Sequence, residues 1–149
     1  MNGAMRSMTL VMRSMALVLG AIAWACVVTW AQTSAPAVSA EQIQRGKYLV
    51  EHVAMCIQCH TPRTAQGALD HTRLFQGAPI PIPTPFPMQP WAFAAPKIAG
   101  LPGWTVDDAM RLLQTGIGAR GYAPRPPMPP FRMTQADAAA VVAYLKSLP

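Results

Sequence analysis

Charged side chains are scarce in this 149-residue chain, and acidic ones are the scarcest: six Asp and Glu stand against twelve Lys and Arg. No carboxylates are paired in the manner of a general acid and base, no nucleophile is matched with a base, and no glycine-rich nucleotide loop is present. The sequence therefore gives no support for a hydrolase or a nucleotide-binding enzyme. The net charge is +6, but the cations are scattered along the chain, so we predict no nucleic-acid binding.

Cysteine is also rare, with three residues, and two of them lie in one short stretch. Cys56-Ile57-Gln58-Cys59-His60 has the C-x-x-C-H pattern by which a c-type haem is attached. The two thiols add across the two vinyl groups of one porphyrin, and the histidine is then held beside the iron as an axial ligand. We therefore predict one covalent haem c, attached at Cys56 and Cys59, with its iron bound by His60.

Two other uses of this cysteine pair fit the sequence less well. A thioredoxin-like redox site requires a βαβ pattern, and the chain shows no such alternation. A structural zinc site requires four ligands, but Cys26 lies in an apolar N-terminal stretch, and the spacing of His52 and His71 fits no zinc pattern. Both alternatives are weaker than haem attachment.

The N-terminus lacks acidic residues and then lacks charge altogether. Two arginines precede residues 14–31, which carry no charge, as in the n-region and h-region of a signal peptide. Small residues at Ala31 and Ala40 mark two candidate cleavage points. Residues 14–31 also just reach the length of a membrane span, so residues 1–31 are predicted to be either a signal peptide or an uncleaved anchor. In both cases residues 32–40 are a linker, and the domain is exported, to the periplasm or the outer face of the cytoplasmic membrane.

Three capping signals predict three helices in the rest of the chain. Ser39, Thr105 and Thr134 are each followed, three residues later, by Gln or Asp, which is typical of helix N-termini. The helices are predicted over about 41–55, 106–114 and 135–148. The apolar face of the first comprises Ile43, Gly46, Val50 and Val53. Because no strand-like alternation is present, we predict an all-α fold.

Residues 79–96 contain seven prolines, most of them at alternate positions. Proline has no backbone N–H and a fixed φ, so this segment is predicted to be extended, without helix or central strand. Two interpretations remain open: a peptide-like docking surface, and a stiff loop that covers one edge of the haem.

Methionine supplies the candidates for the second axial ligand. Met128 is flanked on both sides by two prolines, which restrict the backbone of a loop that must hold one side chain in place. Met133 is the second choice, and Met88 also lies in a loop. Met55 is too close to the haem-bearing turn, and Met110 is placed in a helical core.

The order of these motifs resembles a class I cytochrome c domain over residues 41–149. The resemblance rests on C-x-x-C-H after an N-terminal helix, a helix with a Trp-Thr start, and PPMPPF ahead of a terminal helix that ends VVAYLKSLP. The chain is similar to small bacterial cytochromes c and to the cytochrome c domains of membrane-bound dehydrogenase complexes. The resemblance implies helices around one covalent haem, with His60 proximal and Met128 distal.

The resemblance also carries two finer expectations. The first and last helices would cross next to the haem, with Gly46 against the Tyr144–Leu145 region. The proline-rich segment is an insertion relative to the family pattern, so the backbone carbonyl that orients the imidazole of His60 is not specified by it; Pro79 is our expectation.

With both axial positions filled by the protein, the function expected from the sequence is one-electron transfer between redox proteins, whose identities are not indicated. The chain would be an exported electron carrier or the haem subunit of a redox complex, not itself an enzyme. Two alternatives remain: a haem enzyme or gas- or peroxide-binding protein with an open distal site, and a docking module that uses the proline-rich segment.

Overall fold

The computed structural model describes residues 37–149, of which Val38–Pro149 form one compact unit. The predicted leader, the candidate cleavage point at Ala31 and most of the linker lie outside the described residues, whereas Ala40 lies within them. None of the helices in the described part is long and apolar enough to cross a membrane. The described helices are α1 (Ala40–Tyr48), α2 (Cys56–His60), α3 (Val106–Thr115) and α4 (Gln135–Ser147). A π-helical turn (Leu49–Val53) continues α1, and two 3-10 turns span His71–Arg73 and Ala119–Gly121.

The capping predictions are confirmed for the three longer helices. The hydroxyls of Ser39, Thr105 and Thr134 each accept a hydrogen bond from the amide three residues later, at 3.1, 3.1 and 3.2 Å. Each hydroxyl satisfies one of the amide groups that the first helical turn leaves unpaired. At the other end of α3, Gly116 adopts φ 74°, the left-handed conformation that ends a helix at low cost for glycine.

The π-helical turn changes which residues of the first helix are buried. The amide of Ala54 donates to the carbonyl oxygen of Leu49, five residues earlier, at 2.7 Å. The wider turn shifts the helical phase, so Leu49 and Val50 are buried while Val53 is 56% exposed. The prediction that Val53 belongs to the buried face is therefore wrong, because it assumed a regular 3.6-residue period.

Helices α1 and α4 pack against each other, and glycine makes their close approach possible. A Cβ at Gly46 would collide with the backbone carbonyl of Ala140 and lie 2.8 Å from the Cβ of Tyr144. The prediction that Gly46 meets the Tyr144 region of the last helix is confirmed. Arg45 also bonds Asp137 across this contact, with Nη2 2.9 Å from Oδ1, although at this exposed position the pair adds little stability.

A short antiparallel strand pair was not expected from the sequence. Strand β1 (Ala78–Pro79) pairs with β2 (Ala94–Ala95), with Ala78 opposite Ala95. The amide of Ile80 extends this pairing by donating to the carbonyl oxygen of Phe93 at 2.9 Å. We call residues 78–95 the proline-rich hairpin. The described part is thus helical with one small sheet, and most of the predicted extended segment forms the hairpin.

The core lies among the α-helices and the segment that precedes the hairpin. Its fully buried side chains include Val50 from the π-helical turn, Val141 from α4, and Phe75 from the segment before the hairpin. The rings of Phe75 and Tyr144 meet edge to face, with centroids 6.1 Å apart. Phe75 therefore ties the chain between α2 and the hairpin to the helical core, which fixes the surroundings of the C-x-x-C-H motif.

Candidate haem site

The C-x-x-C-H motif forms one short helix. Helix α2 begins after Met55, which adopts φ 53°, and ends at His60, since the next residue, Thr61, is extended. Cys56 and Cys59 are free thiols, both partly exposed, and residues three apart on a helix lie on the same face. His60 follows at the end of the same turn and is only 7% exposed. The fold thus places two thiols and one imidazole on a single turn of the chain.

The surroundings of Cys56 make its thiol a weaker acid than an ordinary cysteine. Burial raises the pKa of the Cys56 thiol to about 11; a backbone hydrogen bond opposes this shift, and electrostatic repulsion between the two neighbouring sulfur groups adds to it. Cys56 is therefore a neutral thiol at physiological pH. Because the thiolate is the reactive form in disulfide exchange, a thiol that stays protonated is a poor partner in that reaction.

His60 is held as a neutral imidazole with a defined tautomer. Its Nδ1 lies 2.8 Å from the carbonyl oxygen of Pro96. Because a carbonyl oxygen only accepts, Nδ1 carries the hydrogen and Nε2 is left with a lone pair. Burial lowers the pKa of His60, and the hydrogen bond to Pro96 partly opposes that shift. A neutral imidazole with a free Nε2 is the form that binds a metal ion.

The expectation that Pro79 orients His60 is wrong. Pro79 lies in β1, opposite Ala94, whereas the acceptor is the carbonyl of Pro96, which follows β2. The antiparallel pairing returns the chain to the same place, so the residue after the second strand reaches the imidazole. The sequence prediction placed the contact on the arm of the hairpin nearer in sequence, because it contained no strand pairing.

Further residues around His60 were missed by the sequence analysis. The carbonyl oxygen of His60 accepts from the amide of Gly77 at 2.8 Å. The hydroxyl of Thr61, only 1% exposed, accepts from the amide of Phe75 at 3.0 Å. These bonds hold the chain on both sides of the imidazole. An isolated glycine just before a proline-rich stretch was the one available signal for Gly77.

The structure separates the candidate methionines by their surroundings. Met110 and Met133 pack against the hydrophobic core, and Met88 is 100% exposed. Met55 precedes α2 and is 44% exposed. Met128 is half-buried in a loop and is not among the residues of the described core. Among these five candidates, Met128 is therefore the one that neither packs against the core, nor is fully exposed, nor directly precedes α2.

The loop that carries Met128 is tied to the proline-rich hairpin. The amide of Ala92 donates to the carbonyl oxygen of Pro126 at 2.8 Å, and the amide of Met128 donates to the carbonyl oxygen of Arg125 at 3.3 Å. The first bond connects the hairpin to the loop, and the second closes a turn within the loop. One arm of the hairpin thus leads to the acceptor of His60, and the same arm contacts the loop of Met128.

The donor set fits a c-type haem. It contains two free thiols on one helical turn, a neutral imidazole whose free nitrogen is Nε2, and a thioether in a loop outside the core. His52 and His71 are both exposed, and within residues 37–149 no three His, Cys, Asp or Glu side chains form a metal-binding group. The cysteine pair does not assemble with them into a zinc site of the kind considered above.

Comparison with known proteins gives the family. The chain is similar to the fructose dehydrogenase cytochrome subunit of Gluconobacter japonicus, with 31% identity over 115 residues, covering 70% of this chain and 22% of that protein. It is also similar to a diheme cytochrome c-type protein of Cereibacter sphaeroides, with 29% identity over 122 residues, covering 74% of this chain and 36% of that protein. The chain therefore spans well under half the length of either relative. Residues 43–149 match the protein-family model described as Cytochrome c, and the chain belongs to the cytochrome c family.

Proposed function

We propose that this chain transfers single electrons through one covalently attached haem c, held by thioethers at Cys56 and Cys59 and ligated by His60 and Met128. The observation that carries the proposal is the His60 imidazole: it is buried, neutral and fixed by the carbonyl of Pro96, and it ends the helical turn that bears both thiols. Family membership supports haem-based electron transfer in general, and the ligand set is our own assignment.

Each of these residues has a separate task. The bound haem supplies an iron that exchanges one electron between its ferric and ferrous forms. The cysteines fix the porphyrin to α2, so the cofactor is retained through every redox cycle. The bond from Nδ1 of His60 to Pro96 sets the tautomer and orientation of the imidazole and increases its basicity.

Met128 is proposed as the second axial ligand because of what surrounds the other methionines. A thioether is a soft ligand that favours ferrous iron and raises the reduction potential. Two ligands from the protein leave no iron position for a substrate. Electron transfer to and from partner proteins is then the chemistry that remains, and the fold would resemble that of class I cytochromes c.

The partners are proposed to be exported redox proteins. The N-terminal pattern of residues 1–31 supports export, with residues 14–31 either removed with the signal or kept as an anchor. One relative is named as the cytochrome subunit of a fructose dehydrogenase, so this chain is either a free carrier or the haem subunit of a comparable dehydrogenase complex. We place it in the periplasm or on the outer face of the cytoplasmic membrane.

The proposal is tested by expressing the full chain with haem-maturation machinery, measuring the mass of the product, and titrating it potentiometrically. We expect the mass of one haem added to the chain and a single one-electron transition. The matched control is the C56A/C59A double variant, whose mass should show no covalent adduct. An unmodified mass for the wild type would contradict haem attachment and favour the docking interpretation; a second haem mass would contradict the single-haem assignment. The same mass locates the leader cleavage point.

A further inference from the structure

The base of the proline-rich hairpin holds His60 at two points. On the incoming arm, the amide of Gly77 donates to the carbonyl oxygen of His60 at 2.8 Å. On the outgoing arm, the carbonyl oxygen of Pro96 accepts from the imidazole Nδ1, also at 2.8 Å. The pairing of Ala78 with Ala95 joins the two arms directly beside these bonds. The backbone and the side chain of one residue are therefore held by opposite arms of the same hairpin.

Gly77 is packed against the peptide that supplies the acceptor. A Cβ at this position would lie 2.8 Å from the amide nitrogen of Lys97, 2.9 Å from the carbonyl oxygen of Ala95 and 3.0 Å from the carbonyl carbon of Pro96. All three are backbone atoms, so they cannot rotate away as a flexible side chain would. Gly77 also has φ 86°, a backbone conformation that strains other L-residues.

We propose that Gly77 is a positioning residue for the proximal histidine: its lack of a side chain lets the carbonyl of Pro96 stay against the imidazole of His60. This rests on the proposed ligation by His60. A Cβ at residue 77 moves the peptide of Pro96 outward and weakens the bond from Nδ1. The imidazole then loses electron density, ferric iron is less stabilised, and the reduction potential rises.

The chain provides a matched control in Gly67. This glycine has φ 85°, nearly the same as Gly77, but a Cβ there would meet nothing within 4 Å. Gly67→Ala therefore imposes the same left-handed strain without the collision. We expect the midpoint potential of the haem-loaded G77A variant to shift to positive values and that of G67A to match the wild type. The NMR signal of the His60 Nδ1–H should move, and exchange faster with solvent, in G77A alone.

A second pair of variants keeps the test decisive if strain prevents G77A from accepting haem. Asparagine tolerates the left-handed conformation better than alanine but still has a Cβ, so Gly77→Asn retains the collision at lower strain, with Gly67→Asn as its control. Equal potentials and unchanged Nδ1–H signals in the Gly77 and Gly67 variants would overturn the proposal. A wild-type protein without covalent haem would instead refute the proposed function, and that result precedes any variant.

Discussion

At the scale of single residues, Tyr144 and Glu51 form a polar contact between α4 and the π-helical turn. The hydroxyl of Tyr144 donates to Oε1 of Glu51 at 3.1 Å. Burial raises the pKa of Tyr144 to about 12, and the charge of Glu51 and its hydrogen bond add to that shift. The folded-state pKa lies above the ordinary value of 10.0. The contribution of Tyr144 to the stability of the folded protein is therefore complete below pH 10 and is lost as the pH rises towards about 12.

Replacing Glu51 by glutamine should lower the pKa of Tyr144 without restoring it to 10. The substitution removes the negative charge but leaves an amide oxygen that accepts the hydrogen bond, and burial, the largest cause, is unchanged. Phenolate absorbance or tyrosine NMR signals, followed against pH, would measure this shift. Glu41→Gln, an exposed change in the first turn of α1, is the control and should have no effect. A pKa in E51Q that equals the wild-type value would contradict the assignment.

Residue-level reasoning from sequence succeeded where the chemistry was local. The Cys56–His60 spacing identified the motif, and the structure shows its three side chains on one helical turn. Pro96 and Gly77 were not found, because their contacts with His60 depend on a strand pair that joins residues distant in sequence. Almost every residue also has a backbone carbonyl and amide, so residue type does not indicate which of these groups will bond His60; only the fold determines that.

At the scale of elements, the crossing of α1 and α4 depends on Gly46. Alanine there would gain about 1 kcal/mol in helix propensity. Overpacking usually costs about 1–3 kcal/mol, and collision with rigid backbone places this site in the upper part of that range, at about 2–3 kcal/mol. The nearest atoms are the backbone of Ala140 and the Cβ of Tyr144, which cannot rotate away, so the cost exceeds the gain. We expect Gly46→Ala to reduce the free energy of unfolding by about 1–2 kcal/mol.

Denaturant unfolding of the haem-loaded protein, followed by circular dichroism, would measure this loss. Lys47→Ala, at the exposed neighbouring position, is the matched control and should stay within about 0.5 kcal/mol of the wild type. A G46A variant as stable as the wild type would show that the two helices can separate enough to admit a methyl group, which would contradict the need for glycine at this crossing.

The helices were predictable because their signals are local. The hydroxyls of Ser39, Thr105 and Thr134 cap their own first turns, and Gly116 ends α3 in its own conformation. The π-helical turn and the hairpin were not predictable in this way. The π-helical turn has no characteristic residues that would distinguish it from an ordinary helical turn in the sequence. The strand pairing depends on contacts between residues at opposite ends of the proline-rich segment.

At the scale of the whole molecule, the proline-rich hairpin connects two regions that are distant in sequence, the C-x-x-C-H helix and the loop of Met128. Its base bears on His60 through Gly77 and Pro96, and its second arm contacts the Met128 loop through the bond from Ala92 to Pro126. The hairpin therefore contacts the segments that carry both proposed axial ligands. Family membership accounts for haem-based electron transfer in general, and these three hydrogen bonds show how the hairpin and the residues on either side of it are tied to both segments.

The absorption spectrum of the oxidised, haem-loaded protein tests the central claim most directly, because it reports both the spin state of the iron and its ligands. A His60/Met128 pair predicts a low-spin spectrum with the far-red sulfur-to-iron band. That band should be lost in Met128→Ala and retained in Met133→Ala, since Met133 packs against the core. A high-spin spectrum of the native protein, indicating an open distal site, or a band that persists in M128A would contradict the account.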